Sequence, residues 1–444
     1  MSGSGPVRLA RRTFAATLLS GLPALALGRK PYGGTLRLAV PWGVQRLDPH
    51  DLDDPLAALF GAAICDPLYA VDSGGRVYPA LADAMPETIA QGARLRLRSG
   101  LRSAKGLALT ALDVRATLER AGKRAGAALL GDLPTPRAVR GDPLALDFAG
   151  VNPSALAARL TSPLTALLPR SYSPLDPDGT GAFQGRLEQG RLLLARNPNA
   201  ARGAAFLDRV EVRAFSDLSD ALRAFEAGNV DVGWLGSGLH RARGGALPFV
   251  GANYGYCVLR VGKARGGWGA PGVLQQLVDG VDPDRLRHLG LDGLPAAAAP
   301  SSGWGGGPAQ LLVADDAPQL SLVADTLATA LSRPGHELTV AKTSRAELTR
   351  RRVDRDFALW VDFVRSLGPK GPLTQLALLC AVNPELAKKP PRIEDFEARS
   401  IARGLSLGVI GELWATGAQS PAFQSLSGWQ LSDVARLPEA APSP

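Results

Sequence analysis

The sequence has few of the side chains that most metal proteins and hydrolases need. Its 444 residues contain three cysteines, at positions 65, 257 and 380, and four histidines. The cysteines lie far apart, which argues against a structural zinc site. They permit at most one disulfide, and three buried single thiols are the alternative. No histidine has a second one three or four residues away or an evident nucleophile beside it, so no metal hydrolase or catalytic triad is indicated.

Long hydrophobic runs and concentrated charge are also missing. Beyond the N-terminal region no segment has 18 consecutive apolar residues, so we expect no membrane-spanning helix. The net charge is +9, but basic and acidic residues are interspersed after residue 30. Without a basic stripe or a docking motif, we expect no nucleic-acid partner. The glycine-rich segment GWGGGP (303–308) lacks the lysine of a phosphate loop and the GxGxxG spacing. The sequence therefore indicates neither catalysis nor a cofactor.

The N-terminus has the features of an export signal. Arg11 and Arg12 form a twin-arginine pair, and Phe14 begins an apolar run that ends near residue 27. Small residues precede a potential cleavage site after Gly28, which predicts a signal peptide over 1–28. Because no cysteine precedes residue 65, we expect a periplasmic protein without a lipid anchor. An uncleaved amphipathic helix is the alternative interpretation.

Further along, strand and helix patterns alternate. The segment GGTLRLAVPWG (33–43) has the β-prone residues of a strand, and Thr110 with Asp113 marks the start of a helix. Gln189-Gly190 separates two strand-like segments, which predicts a hairpin. The segment 271–286 has the pattern of one helix. Strand–helix–strand order between 206 and 234, and again between 309 and 363, predicts an α/β protein with parallel strands.

Aromatic and polar residues lie in or beside several predicted strands. Ligand clefts of α/β proteins lie beyond the carboxyl ends of strands. We therefore take as candidate ligand-binding residues Trp42, Asn253, Tyr254, Trp360 and Asp362. Ordinary core packing is the alternative for each ring. The carboxylate of Asp362 would be costly to bury alone, so either a cationic ligand group or a nearby arginine such as Arg365 is expected beside it.

Several segments, in order, resemble family 5 of the extracellular solute-binding proteins, which includes dipeptide, oligopeptide and nickel binders. The matching segments are 33–50 with 65–85, 109–122, 179–232, 271–286 and 309–363. The resemblance implies a two-lobed, periplasmic-binding-protein-like (type II) fold with an extra α/β subdomain in the N-terminal half. It also implies a non-catalytic protein that delivers a peptide or similar solute to an ABC permease. The alternative is a family-derived sensor or partner-binding protein with no transported ligand.

The resemblance also implies lobe boundaries and a site residue. We expect an N-terminal lobe over 29–250, a second lobe over 251–415, and a return segment and tail over 416–444. Peptide binders of the family carry a GW-x-A-D-Y-x-D-P stretch whose aspartate binds the free amine of the peptide. Here ALWVDFVRSLGP (358–369) keeps the tryptophan and an Asp-Phe pair but not the later Asp-Pro. The resemblance thus assigns Asp362 to the ligand amine and Trp360 to the wall beside it.

Overall fold

The computed structural model describes residues 32–234, 244–263, 266–299, 303–369 and 371–437. The predicted export signal, with Arg11, Arg12 and Phe14, lies outside these residues. No helix in the described ranges is both long enough and apolar enough to cross a bilayer.

Ten strands form one large mixed sheet. In chain order they are β1 (Thr35–Val40), β8 (Phe183–Glu188), β9 (Arg191–Arg196), β10 (Arg209–Ala214), β11 (Val232–Trp234), β12 (Leu247–Val261), β13 (Ala309–Ala314), β14 (Leu338–Thr343), β15 (Leu359–Arg365) and β16 (Leu407–Gln419). Their order across the sheet is β14-β13-β15-β12-β16-β11-β1-β10-β9-β8. The N-terminal half of the sheet comprises β8 to β11 with β1, and the C-terminal half comprises β13 to β15.

Both halves contain the expected parallel strands. In the N-terminal half β1 runs parallel to both of its neighbours, β10 and β11. In the C-terminal half β13 runs parallel to β14 and β15. The predicted hairpin joins β8 to β9, where Gln189 and Gly190 both have positive φ angles of 46° and 72°. Positive φ at two central residues is the geometry of a tight hairpin turn.

Two long antiparallel strands connect the halves. β12 has 15 residues and β16 has 13, and they pair along most of their length. Both expected lobe boundaries, after residues 250 and 415, fall inside these strands. The pairing shifts register on both sides of Asn253, and such irregularities bend a sheet locally.

Helices cover the faces of the sheets. They are α1 (Pro55–Ile64), α2 (Ala111–Gly122), α3 (Ala127–Leu130), α4 (Pro153–Arg159), α5 (Leu218–Glu226), α6 (Val273–Asp279), α7 (Pro283–Arg287), α8 (Pro318–Leu331), α9 (Arg345–Asp354), α10 (Gly371–Val382), α11 (Pro384–Lys388) and α12 (Ala398–Ala402). The prediction of one helix over 271–286 is wrong, because α6 ends at Asp279 and a second helix, α7, begins at Pro283. The side chain of Asp282 caps this new start by accepting the Asp284 N–H at 3.0 Å.

A separate small unit lies in the N-terminal half of the chain. Its four strands are β4 (Glu87–Ile89), β5 (Gly92–Arg96), β6 (Arg137–Ala138) and β7 (Ala145–Ala149), in the order β4-β5-β7-β6. A hairpin of β2 (Tyr69–Val71) and β3 (Val77–Pro79) adjoins it. Helix α2 contributes Val114 and Leu118 to its core. At the start of α2, Asp113 accepts from both the N–H and the hydroxyl of Thr110 at 2.9 Å, which confirms the expected helix start.

Candidate ligand-binding cleft

A cleft of about 1210 Å³ opens past the carboxyl end of β15, beside the long strands β12 and β16. One wall comes from α1, the β2–β3 hairpin and the segment around Trp429. Trp429 is fixed to α1 because its indole N–H donates to the Leu59 carbonyl at 2.8 Å. The other wall comes from β12, β16 and the segment after β15. A cavity of this size between two structural units is a typical place for a small ligand.

A carboxylate lies on the β16 wall of the cleft. One oxygen of Glu412, Oε2, accepts from the indole N–H of Trp414 at 2.9 Å and from the amide of Asn253 at 3.2 Å. All three side chains are partly buried and line the cleft. Among the described residues no arginine, lysine or histidine lies within ion-pair distance of Glu412. The carboxylate is therefore oriented by two neutral donors and keeps its negative charge uncompensated.

A guanidinium lines the same cleft at the end of β15. Arg365 is only 3% exposed, and its Nη1 donates to the Pro49 carbonyl at 2.9 Å. Burial lowers the pKa of Arg365 to about 10, and the charges of Asp54 and Asp48 partly offset this effect. No carboxylate of the described residues forms an ion pair with it. Arg365 thus remains a cation with a neutral partner.

Two of the aromatic candidates, Tyr254 and Trp42, have different positions: Tyr254 lines the cleft and Trp42 packs behind it. Tyr254 lines the cleft, together with Asn253. Trp42 is fully buried behind it, and its indole N–H donates to the Tyr254 hydroxyl at 3.3 Å. Phe363 stacks on Tyr254 with ring centroids 5.8 Å apart and meets Trp42 edge-on at 5.3 Å. These contacts place Trp42 in the core, where it holds Tyr254 in position.

The other two candidates, Trp360 and Asp362, lie away from this cleft. They line a smaller cavity of about 240 Å³ beside the loop after β1. The carboxylate of Asp362 lies 2.6 Å from the Nε of Arg260, and both side chains are about nine-tenths buried. Arg260 also donates to the Ala381 carbonyl at 2.6 Å and lies 5.8 Å from the ring centroid of Trp360. The arginine beside Asp362 is thus Arg260 and not Arg365.

Contacts around the smaller cavity join the two halves of the sheet. Arg352 of α9 pairs with Asp53 at 2.8 Å across 299 residues of sequence. The backbone N–H of Gly43, after β1, donates to the Asp316 carbonyl at 2.7 Å. A Cβ at Gly43 would lie 2.3 Å from the Asp316 carboxylate. Only glycine therefore permits this close approach.

The chain offers no clear metal site or reactive thiol in its described ranges. No group of three or more His, Cys, Asp or Glu side chains is placed there to hold a metal ion. Cys65, Cys257 and Cys380 are all free and buried. Burial raises the thiol pKa of each of them, so the reactive thiolate is disfavoured. The interpretation of the three cysteines as buried single thiols is confirmed.

One part of the chain matches a known protein family. Residues 76–241 match the family of bacterial extracellular solute-binding proteins, family 5, in the part named Middle. Over these residues the chain is similar to family 5. No curated protein matches the sequence.

Solved structures match nearly the whole chain in fold. One match is AppA, the oligopeptide-binding protein of Bacillus subtilis, which was solved with a nonapeptide. The two chains are 14% identical and superpose with a TM-score of 0.69, and the match covers 92% of this chain and 100% of AppA. DppA of Helicobacter pylori, solved with the peptide STSA, has 14% identity and a TM-score of 0.69, covering 91% and 98%. AgaA of A. tumefaciens R10, solved with agropinic acid, has 15% identity and a TM-score of 0.67, covering 92% and 99%. These matches confirm the two-lobed α/β fold with its extra subdomain.

Proposed function

We propose that this protein is the exported binding component of an ABC importer and captures a peptide or similar small organic solute in the cleft. The observation that carries the proposal is the cleft itself, which lies between a wall formed by α1 and the β2–β3 hairpin and a wall formed by β12 and β16. Its aromatic walls, Tyr254, Trp414 and Trp429, and its placed polar groups are those of a small-molecule site. The relatives solved with a nonapeptide, a tetrapeptide and an opine-type acid support the same class of ligand.

Capture follows from closure of the two lobes. We propose that the lobes meet inside β12 and β16, close to the register shifts around Asn253. Movement there changes the distance between the α1 wall and the β16 wall of the cleft. A solute that contacts both walls stabilises the closed form, because it interacts with that form more strongly. The protein then presents the closed, loaded form to a permease.

The export route is a further part of the proposal. The twin-arginine pair and the apolar run that follows it support delivery of the precursor by the twin-arginine machinery to the periplasm. The chain would act there as a binding protein.

A ligand screen tests the proposal. The purified protein is incubated with amino acids, short peptides, opines, sugars and metal chelates, and bound mass is read by native mass spectrometry. We expect one bound solute per chain and a smaller radius of gyration in X-ray scattering when that solute saturates the protein. Absence of binding by every class, or a scattering profile that a bound solute leaves unchanged, would contradict the proposal.

A further inference from the structure

The segment 46–54, which links β1 to α1, forms neither a helix nor a strand; we call it the strap. The Leu52 carbonyl accepts the backbone N–H of Arg365 at 2.7 Å, and the Pro49 carbonyl accepts the Nη1 of the same arginine at 2.9 Å. The strap therefore holds the end of β15 by two hydrogen bonds, one from its backbone and one from its last side chain.

Two further contacts join the strap to the C-terminal half of the sheet. The carboxylate of Asp53 pairs with Arg352 of α9 at 2.8 Å. Leu52 is 5% exposed and belongs to the same hydrophobic cluster as Val364 of β15 and Leu378 of α10. Since the strap continues directly from β1, it moves with the N-terminal lobe. Opening of the lobes would break its contacts with β15, α9 and α10.

Helix α2 of the small unit holds the strap from another side. The guanidinium of Arg120 binds both carboxylate oxygens of Asp48, at 2.9 and 2.5 Å, and Arg124 pairs with Asp48 at 3.0 Å and with Asp51 at 2.5 Å. Burial raises the pKa of Asp48, but the hydrogen bond and charge of Arg120 and the charge of Arg124 bring this pKa below its usual value. Asp51 has another partner inside the strap, Arg46. The ion-pair partners that Asp48 has among the described residues both lie on α2.

The two sets of contacts alternate along the strap. Contacts with α2 come from Asp48, His50 and Asp51, and contacts with the C-terminal half come from Pro49, Leu52 and Asp53. Neighbouring residues therefore belong to different interfaces, and no helix or strand within 46–54 absorbs a displacement. A change in the position of Asp48 moves the Pro49 carbonyl, which is bonded to Arg365.

We propose that the small unit controls lobe closure through the strap, with Arg120 and Arg124 fixing the strap in the position that binds β15 and α9. This inference rests on the lobe movement of the proposed function and adds its regulation. Neither arginine lines the cleft, so both act as positioning residues and not as ligand-binding residues. By stabilising contacts that only the closed form makes, they set the ratio of open to closed molecules before any solute binds.

The distance between the two halves of the sheet, measured in the empty protein, tests this control. One spin label is attached to α5 through Glu226→Cys and one to α8 through Asp325→Cys, since both positions are exposed. Helix α5 packs on β11, and α8 packs on β13 and β14, so the labels report on opposite halves. The three native cysteines are buried and should not react in the folded protein. Double electron–electron resonance then gives the populations of open and closed forms.

Loss of either arginine should favour the open form. We expect Arg124→Ala and Arg120→Ala each to raise the ratio of open to closed molecules by about fivefold or more. Arg115→Ala is the matched control, because Arg115 pairs with Glu119 along the same helix at 2.8 Å, and it should leave the ratio unchanged. Urea unfolding of each variant is measured in parallel. A lower free energy of unfolding with an unchanged distance distribution would show a merely structural role and overturn the inference.

Two further variants keep the test decisive if Arg120→Ala does not fold. Arg124→Lys keeps a positive charge beside Asp48 and should retain the wild-type distribution; an opening as large as that of Arg124→Ala would contradict the inference. Asp53→Asn weakens the contact of the strap with α9. Because both changes act through the strap, Arg124→Ala combined with Asp53→Asn should open the protein less than the product of their separate effects. Effects that multiply would mean that α2 and α9 act independently, against the inference.

The outcomes separate this inference from the proposed function, because the measurement needs no solute. If the arginine variants open the protein but no solute of the screen binds, control by the strap stands and solute capture is wrong. If a solute binds and every variant keeps the wild-type distance distribution, solute capture stands and control by the strap is wrong.

Discussion

Asp362 and Arg260 form a buried ion pair between β15 and β12, with 2.6 Å between the carboxylate and the Nε atom. The two residues lie on adjacent strands, and their backbones are two register positions apart. Each charge is compensated inside the protein, so neither needs a ligand. This pair accounts for the carboxylate in the family-like stretch 358–369 without assigning it to the cleft.

Loss of the Asp362 carboxylate should reduce stability and not affinity. Asp362→Ala leaves the Arg260 guanidinium buried and unpaired, which costs about 3–5 kcal/mol in comparable buried pairs. We expect a clearly lower free energy of unfolding of the empty protein in urea, and a solute affinity within about threefold of wild type.

Asp356→Ala, at an exposed aspartate just before β15, is the control and should leave stability nearly unchanged. A weakening of solute binding by 30-fold or more, with unchanged stability of the empty protein, would return Asp362 to the binding site.

His50 should make the folded protein sensitive to mild acid. It is fully buried, its Nε2 bonds to the Ala166 carbonyl at 2.9 Å, and its Nδ1 faces Arg120 at the same distance. Burial lowers the pKa of His50 to about 4, whereas the pKa of a histidine in an unfolded chain is about 6.5. Between these values the unfolded chain binds the proton and the folded chain does not. Stability attributable to His50 therefore falls by about 3 kcal/mol as the pH drops from 6.5 to 4.

Urea unfolding at a series of pH values measures this dependence. His50→Gln should flatten the slope between pH 6.5 and 4, and His288→Gln, at an exposed histidine, should keep it. Equal slopes in wild type and His50→Gln would show that other groups cause the acid sensitivity.

The contact between Arg352 and Asp53 should favour the closed arrangement of the empty protein. Both side chains are one-third exposed, so the pair is worth no more than about 1 kcal/mol. Arg352→Ala should therefore shift the ratio of open to closed forms by less than about tenfold. X-ray scattering should show a larger radius of gyration without solute and the wild-type value with saturating solute.

Arg350→Ala is the matched control, because Arg350 pairs with Glu347 inside the same helix. A radius of gyration that responds equally to both substitutions would mean that the Arg352–Asp53 pair does not contribute to closure.

The twin-arginine pair should be needed for export. Replacing Arg11 and Arg12 with lysines keeps the charge but removes the feature that the twin-arginine route requires. Cell fractionation should then find the precursor in the cytoplasm. Unchanged export of the variant would indicate the general secretory route.

Local patterns in the sequence predict most of the elements. The hairpin at Gln189-Gly190 and the start of α2 at Thr110 are determined by residues within a few positions of each other, and both are confirmed. The break between α6 and α7 also has a local signal, since Asp282-Pro283 is typical of a helix start. A continuous apolar pattern over 271–286 obscures that signal.

The cleft is harder to predict because its residues meet only through long-range pairing. Glu412 contacts Asn253 across 159 residues, and Trp429 contacts Leu59 across 370. The strand that carries Glu412 and Trp414 begins with an apolar run, and partly buried positions alternate with buried ones only from Glu412 onward. Tyr254 and Asn253 could be predicted as cleft residues, because aromatic and polar residues at a strand suggest a cleft. Asp362 shows the limit of that reasoning, since its partner Arg260 is 102 residues away.

The central claim is that a solute binds in the cleft between the α1 wall and the β16 wall, and blocking that space tests it most directly. Ala62 is exposed on α1 and lines the cleft, so Ala62→Trp fills the space without disturbing the core. Ala330→Trp, at an exposed alanine of α8 outside the cleft, is the control. After incubation with the solute library, native mass spectrometry should find one bound solute on the wild type and on Ala330→Trp, and none on Ala62→Trp. Equal occupancy of all three proteins would contradict the account.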